Sequence, residues 1–327
     1  MQNSRPLISV VMPVYNAESF LREAVESILS QTYTNFEFII INDGSTDNSG
    51  KILSDFNDHR MRVIGQPNAG IGKALNRGLD SASGELIARM DADDIALPQR
   101  FEKQVEFFLL HPDLALLGTW AEIIDSEGRH RSWHKHPTTN AAIKYALLKN
   151  SPFVHPSVMF RSSVIADVGK YDEGNLVFED YDMWSRITRI HEAANLPEVL
   201  LKYREVSSSI SRTTANFNER AIEQRRRNIL YYLPTLPDDL VKKMAHIGYR
   251  HSKVTNDEFD MVYIKFMEIV KSFGVTDPGI FNDINKDIAA RMMDFHLIPH
   301  TSILSSAMDR FLKSMRLRKL TSKFDRN

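Results

Sequence analysis

Apolar residues in the first ninety positions follow two rhythms. Short runs rich in β-branched and large apolar side chains read as buried strands: Ile8–Val14 (ISVVMPV), residues 36–41 (FEFIII) and residues 61–64. Between them, apolar positions fall three and four apart. Phe20, Leu21, Ala24, Val25, Ile28 and Leu29 do so in residues 17–30, then Ile52, Leu53 and Phe56, then Leu75 and Leu79. That spacing lines one face of a helix. Pro13 has no amide donor and predicts where the first strand ends. A fourth strand starts at Gly84 and runs through Leu86, Ile87 and Met90. Strand, helix and strand at this pace predict a parallel sheet with helices on both faces.

The second half is read the same way. A helix after Pro98 carries Phe101, Val105, Phe108 and Leu109, and Leu114–Ile124 is a long apolar strand closed by a turn at residues 125–128. The basic, aromatic stretch 129–137 (RHRSWHKHP) returns as an edge strand or loop. A helix through Ile143, Ala146 and Leu147 follows, then a strand leaving a loop at 154–161 and a turn at 169–172. The block 177–184 opens a helix that continues to Ile190, and 199–206 is a further strand. From about Ala215 the pattern is helical, punctuated by Pro234, Pro237, Pro278 and Pro299. The expected division is an α/β domain over 1–212 and a helical region over 213–327.

Composition narrows the classes. With 327 residues the chain has room for two domains, and 43% hydrophobic with 25% charged residues is the balance of a soluble globular protein. A net charge of -1 gives the whole chain no nucleic-acid footprint. The absence of cysteine excludes disulfides and thiolate metal sites and fits a reducing, cytoplasmic setting. No apolar run is long enough to suggest a membrane span.

The chemistry collects around residues 91–94. Asp91, Asp93 and Asp94 arrive together where the fourth strand ends. Three acids in four residues repel one another, and a divalent cation held by carboxylate oxygen is one compensation. A solvated acidic turn capping the helix that begins near Pro98 is the other. Tyr15, Asp43 and the acidic run all fall at carboxyl ends of expected strands, where ligands of parallel sheets sit. Glu179, Asp180 and Asp182 share the first turn of a helix, whose dipole by itself favours negative charge.

Six blocks in order give a resemblance over residues 5–210. They are SVVMPVYN at 9–16, INDGSTD at 41–47, Asn68-Ala69-Gly70 with Asn76-Arg77-Gly78, Asp91-Ala92-Asp93-Asp94, His155-Pro156-Ser157-Val158, and Glu179-Asp180. Together they resemble the inverting glycosyltransferases of family 2, whose nucleotide-sugar-binding α/β fold is called GT-A, a mostly parallel sheet flanked by helices. The resemblance implies that Pro13, Val14 and Tyr15 line a base pocket and that Asp43 hydrogen-bonds the base, usually uracil. It places Asn68, Gly70, Lys73 and Asn76 near the donor phosphates, with Asp91 and Ala92 also in the donor site. It assigns Asp93, with Asp91, to Mg²⁺ or Mn²⁺ bridging a diphosphate. Asp180 becomes the general base. Glu179, His155 and Trp184 fall on the acceptor side, although Trp184 equally suits a core.

The implied activity is transfer of one hexose or N-acetylhexosamine from a UDP-sugar to a glycan acceptor, lipid-linked, in surface polysaccharide synthesis of bacterial type. A sugar-nucleotide-binding or scaffold protein without catalysis is the competing class. A nucleotidyltransferase would need a glycine-rich basic loop after the first strand, and Tyr15-Asn16-Ala17-Glu18 is not one. Two departures stand out. Asn42 occupies a place often held by an acid, and Gln224-Arg225-Arg226-Arg227-Asn228 only partly echoes the Gln-x-x-Arg-Trp of processive synthases. That predicts single addition.

The end of the chain has its own pattern. Leu304, Met308, Phe311, Leu312 and Met315 share one helical stripe, and residues 302–327 carry seven basic and two acidic side chains. A basic amphipathic helix of this kind lies on anionic membrane surfaces; packing on the catalytic domain is the alternative. The expectation is peripheral contact with the inner face of the cytoplasmic membrane through residues 303–324. Flotation with anionic liposomes should then recover the full chain and lose a chain ending at residue 301. Equal recovery of both, or of neither, removes the role.

Overall fold

The computed structural model describes residues 5–175, 177–206, 217–246, 256–275 and 277–293. Its first part alternates as expected: β1 (Ile8–Val14), α1 (Leu21–Leu29), β2 (Phe36–Asp43), α2 (Ser49–Ser54), β3 (Met61–Gln66), α3 (Ile71–Ser81) and β4 (Leu86–Arg89). Then come β5 (Ile95–Ala96), α4 (Arg100–Leu110), β6 (Leu114–Ile124), β7 (His130–His134) and α5 (Asn140–Ala146). A 3-10 turn at His155–Ser157 leads into β8 (Met159–Arg161), followed by α6 (Val164–Val168), α7 (Glu179–Ile190) and β9 (Glu192–Arg204). Four helices follow: α8 (Phe217–Tyr232), α9 (Asp238–His246), α10 (Asn256–Ser272) and α11 (Pro278–Met293).

The strands form one sheet in the order β3-β2-β1-β4-β8-β6-β9-β5, with β7 paired to β6. Its β3-β2-β1-β4 half is parallel throughout. Beyond β4 the sheet is mixed, because β8 runs antiparallel to both β4 and β6 while β6 and β9 are parallel. Pro156 lacks a ladder donor and lies in the 3-10 turn, so only the last three residues of the expected 154–161 strand pair. Chain order runs outward from β1 to β3 and returns to place β4 on the other side of β1. The crevice at the carboxyl ends of β1 and β4 is therefore the switch point of the sheet.

Alternation along the strands divides the core between two faces. Val10, Met12, Phe38, Ile40, Ala88 and Met90 pack against α1 and α4 through Leu21, Val25, Ile28, Phe101 and Val105. Val11, Ile87 and Phe160 face the other way, onto Leu75 of α3, Ile143 of α5, and Tyr181, Met183, Trp184 and Ile187 of α7.

Strand β9 begins seven residues before the expected 199–206. Pro197 and Glu198 hid its first half. Leu196 pairs with Thr119 and Val199 with Trp120, so these two residues bulge out of the ladder. Short elements such as β5 and α6 gave no periodic signal.

The chain divides into two compact units, Met1–Asn228 and Ile229–Asn327. The expected boundary at 212/213 and the basic stripe at 303–324 lie outside the described residues. In the second unit Val262, Phe266, Val270, Ile284 and Ile288 are buried, and the Tyr263 hydroxyl donates to Asn285 Oδ1. No helix among the described residues is long and apolar enough to cross a membrane.

Helix α3 lies so close to β1 that a Cβ at Gly78 would overlap the Val11 side chain, which is backed by the sheet. Gly78→Ala should therefore destabilise the first unit by about 1–3 kcal/mol despite alanine's better helix propensity, read as a lower denaturant midpoint. An unchanged midpoint would mean that α3 can move off β1 freely.

Candidate active site

The crevice starts with two stitched loops. Asn16 leaves β1 at φ 50, a left-handed conformation that asparagine tolerates. Its Oδ1 accepts from the Thr46 amide at 2.8 Å, and its own N–H donates to Ser45 Oγ at 3.1 Å. The Ala17 N–H donates to Ser49 Oγ at 2.9 Å and the Glu18 N–H to Asp47 Oδ2 at 3.0 Å. The loops after β1 and β2 are thus tied to each other, and Tyr15 is left standing 52% exposed at the rim. Pro13 is half-buried beneath it. Val14, expected to line the base pocket, instead points into the core beside α1, because alternation turns it away from the crevice.

Asp43 closes β2 and holds the next loop. Its Oδ1 accepts from Gln66 Nε2 at 2.6 Å and from the Ala69 N–H at 2.9 Å, and its Oδ2 accepts from the Gly70 N–H at 2.9 Å. A carboxylate offers about four lone-pair directions, so one on Oδ2 is left for a ligand. Gly44 (φ +73) lets this turn approach, since a Cβ there would sit 2.6 Å from the Asn68 nitrogen. Asn68 and Lys73 are exposed and Gly70 is half-buried. Asn76 does not join them. Its Nδ2 donates to the Tyr171 carbonyl and to Glu173 Oε1, both at 3.0 Å, and its Oδ1 accepts from the Tyr171 N–H at 3.0 Å. The amide expected near phosphate is consumed in fastening the 171–173 turn to α3.

At the end of β4, Asp91, Asp93 and Asp94 bring one carboxylate oxygen each within 4.8 Å of one another. Burial, and after it the charge of Asp91, pushes the Asp93 carboxyl up to about 6. Asp94 is wholly buried, and burial followed by the other two charges raises it well above its ordinary value. Its Oδ1 accepts from the Arg204 N–H at 2.7 Å, while Oδ2 has no hydrogen-bond partner among the described residues. Arg204 locks the run in place. Its Nε donates to the Asp93 carbonyl at 2.8 Å, Nη1 to the Asp125 carbonyl at 3.1 Å and Nη2 to Glu23 at 2.7 Å. An all-oxygen set with one unpartnered buried oxygen suits a hard divalent cation such as Mg²⁺ or Mn²⁺. The sequence grouped all three acids, and the family resemblance assigned only Asp93 and Asp91 to the cation; the spacing here includes Asp94 as well. Ala92, expected on the donor, is a core residue packed with Met90.

The second group of acids opens α7. Burial, and then the neighbouring Asp180, pushes the Glu179 carboxyl up to about 7; burial pushes Asp180 up to about 6. Glu179 Oε2 has no hydrogen-bond partner among the described residues. Asp182 is structural: it pairs with Arg186 at 2.7 Å, and Arg186 Nη2 donates to the Lys170 carbonyl at 2.8 Å. His155 meets the Tyr171 hydroxyl at 3.3 Å, and burial holds its ring well below the ordinary histidine range. Trp184, expected beside the acceptor, is a core residue. It is wholly buried, with Phe153, His155, Phe160 and Tyr171 around its ring.

Sequence reasoning missed Arg89, the last residue of β4. It is 2% exposed and forms an ion pair with Asp91. A charged residue inside the apolar run of β4 was the available signal. In the Gln224–Asn228 cluster, Arg225 is buried and donates to the Lys149 carbonyl and to Asn150 Oδ1. Arg226 and Arg227 pair with Glu223. The rings of His134 and His136 meet at a tilt, 4.4 Å between centroids, and among the described residues only the Asp91, Asp93 and Asp94 group has metal-ligand spacing.

Residues 9–169 match the family model described as Glycosyl transferase family 2. An uncharacterized glycosyltransferase of Haemophilus influenzae is 36% identical over 254 residues, covering 72% of this chain and 77% of that protein. The O-antigen biosynthesis glycosyltransferase WbnJ of Escherichia coli is 35% identical over 221 residues, covering 65% of this chain and 85% of its own length. Among solved structures, residues 1–349 of S. aureus TarS in complex with UDP-GlcNAc share the fold, with a TM-score of 0.58 at 18% identity over 88% of this chain and 89% of that one.

If the acidic group holds a cation, Asp93→Ala should abolish the heat of Mn²⁺ binding in calorimetry. It should not lower the melting temperature, because it relieves repulsion between buried like charges. Undiminished Mn²⁺ binding would remove Asp93 from the ligand set.

Proposed function

This chain belongs to glycosyl transferase family 2, and from that premise we propose that it moves one sugar from a UDP-sugar to a hydroxyl of a glycan acceptor, with inversion at the anomeric carbon. One observation carries the reading: two groups of acids, one just past the end of β4 and one opening α7, lie near enough for Arg89 and Asp91 to act on Glu179, and burial raises carboxyls in both groups. The first group suits a diphosphate with its cation, and the second suits a proton acceptor.

Asp93, Asp91 and the free oxygen of Asp94 would hold Mg²⁺ or Mn²⁺. A divalent cation there offsets the charge that collects on the departing diphosphate. The exposed ring of Tyr15 and the free lone pair of Asp43 receive the base, and Asn68, Gly70 and Lys73 lie toward the phosphates. Asp180 accepts the proton of the acceptor hydroxyl while that oxygen attacks the anomeric carbon. The bond from that carbon to the diphosphate oxygen breaks on the opposite face. A carboxyl raised by burial suits this work, since a base with a pKa nearer the working pH takes the proton more readily. Glu179 and His155 border the acceptor side.

Hexose or N-acetylhexosamine is the transferred group we favour, and a lipid-linked glycan the acceptor. Relatives named for amylovoran and O-antigen biosynthesis support surface polysaccharide as the product. TarS, which has the same fold, was solved with UDP-GlcNAc, and that supports a UDP donor. A screen of UDP-sugars for acceptor-dependent UDP release tests the whole reading.

Asp180→Asn should lower that release by about 10²- to 10⁴-fold and leave UDP affinity unchanged. In the unmutated chain the base works only when deprotonated, so kcat/KM should be level above about pH 6 and fall as pH drops through the Asp180 value. A loss of UDP affinity as large as the loss of turnover would make Asp180 a donor-site residue instead.

A further inference from the structure

We propose that Arg89 is a positioning residue for this reaction, a buried cation shared by the two groups of acids that aligns Asp91 on the donor side and balances the charge of Asp180 on the acceptor side. The inference rests on the functional reading above and adds a residue that it does not use.

The placement comes from strand geometry. On β4, Ile87 faces the core that contains Tyr181, Met183 and Trp184 of α7. Arg89 is two residues further along, so its side chain leaves the same face, toward the start of α7. Asp91 follows with the same parity and pairs with the guanidinium. The group is buried, and its Nε has no hydrogen-bond partner among the described residues. A desolvated guanidinium with a spare donor is costly unless surrounding negative charge compensates it. That charge comes from both directions: Asp91 pairs with the guanidinium at the end of β4, and at the start of α7 Arg89 draws down the carboxyls of Glu179 and Asp180.

Three other buried arginines among the described residues do not supply this: Arg225 donates to the Lys149 carbonyl and to Asn150 Oδ1 and acts on the Tyr181 phenol. Arg100 Nη2 donates to the Arg89 carbonyl at 2.9 Å and to the Val158 carbonyl at 3.2 Å, on the far side of the strand. Arg204 is committed to the backbone of the acidic run and to Glu23. After burial, Asp180 is acted on by the Tyr181 N–H, by Arg89 from β4 and by the Ser151 side chain, while its own charge acts on Glu179 beside it and on the phenols of Tyr171 and Tyr181, both of which burial keeps neutral. Arg89 is the cation of that set.

The test reads Asp180 directly. The full chain is labelled with ¹³C at aspartate Cγ, and the Asp180 signal is identified by its loss in Asp180→Asn. In Arg89→Met the Asp180 midpoint should rise by about 1 pH unit, because a favourable charge has been removed. Arg89→Lys keeps the charge and should hold the midpoint near the unmutated value. Arg89→Gln, which keeps an amide donor toward Asp91, takes the place of Arg89→Met if that variant does not fold, and its midpoint should rise likewise. The acid limb of kcat/KM should move with the midpoint. An unmoved midpoint in the neutral variants, or an equal rise in Arg89→Lys, overturns the role. The titration needs no turnover, so a chain that releases no UDP overturns the functional reading and leaves the Arg89 result standing on its own.

Discussion

The dominant constraint in this molecule is like charge held out of water. Five carboxylates, on Asp91, Asp93, Asp94, Glu179 and Asp180, belong to one region, and four of them have raised proton affinity because burial penalises the charged form. Such an arrangement persists only where the surrounding fold over-determines it. Here the restraint is backbone-directed. Arg204 holds the acidic run by the Asp93 carbonyl and by its own N–H on Asp94. The acids of α7 are fixed by the helix start, and Asn175 brackets Phe178 from both sides with bonds of 3.1 and 3.3 Å. These contacts leave Asp94 Oδ2 and Glu179 Oε2 without a hydrogen-bond partner among the described residues.

The rest of the crevice is built on the same plan of borrowed support. None of the three loops at the carboxyl ends of β1, β2 and β3 is held by its own residues alone. The first two are sewn to each other through Asn16, Ser45, Asp47 and Ser49, and the third hangs from Asp43. The 171–173 turn hangs from Asn76. Each anchor is a polar side chain at the end of a regular element, where alternation or helical phase fixes its direction. The loops at this end of the sheet are therefore held by cross-bonds before anything binds, which spares part of the entropic cost of ordering them.

Much of this was legible in the chain. Strands buried on both faces read as unbroken apolar runs, so β1, β2, β4 and β6 were visible, and the acids stood where the runs stopped. What escaped depends on which way a side chain points or on partners far away in sequence. Val14 and Ala92 sit in motif blocks yet turn inward, whereas the core place of Trp184 was one of the two readings its sequence allowed. Asn76 is diverted by a turn 95 residues later. Arg204 meets Asp94 across 110 residues, and no local pattern announces that contact. Arg89 was visible in principle, as a charge where the pattern called for an apolar side chain, but a strand's last residue is easily given to the loop. Strand β9 was half hidden because Pro197 breaks the propensity signal without ending the strand.

That interruption has a consequence for the site. Strand β6 has 11 residues and β9 has 13, yet both ends are in register, Leu114 with Glu192 and Ile124 with Arg204. Irregular pairing along the way absorbs a net excess of two. Strand side chains alternate with period two, so an even excess preserves their phase, and Arg204 emerges on the side where Asp93, Asp125 and Glu23 await it. The same ladder absorbs single-residue differences between Leu114 and Leu116 and between Trp120 and Ala121, so the acidic site depends on where these irregularities end: the strands must be back in register when Ile124 meets Arg204.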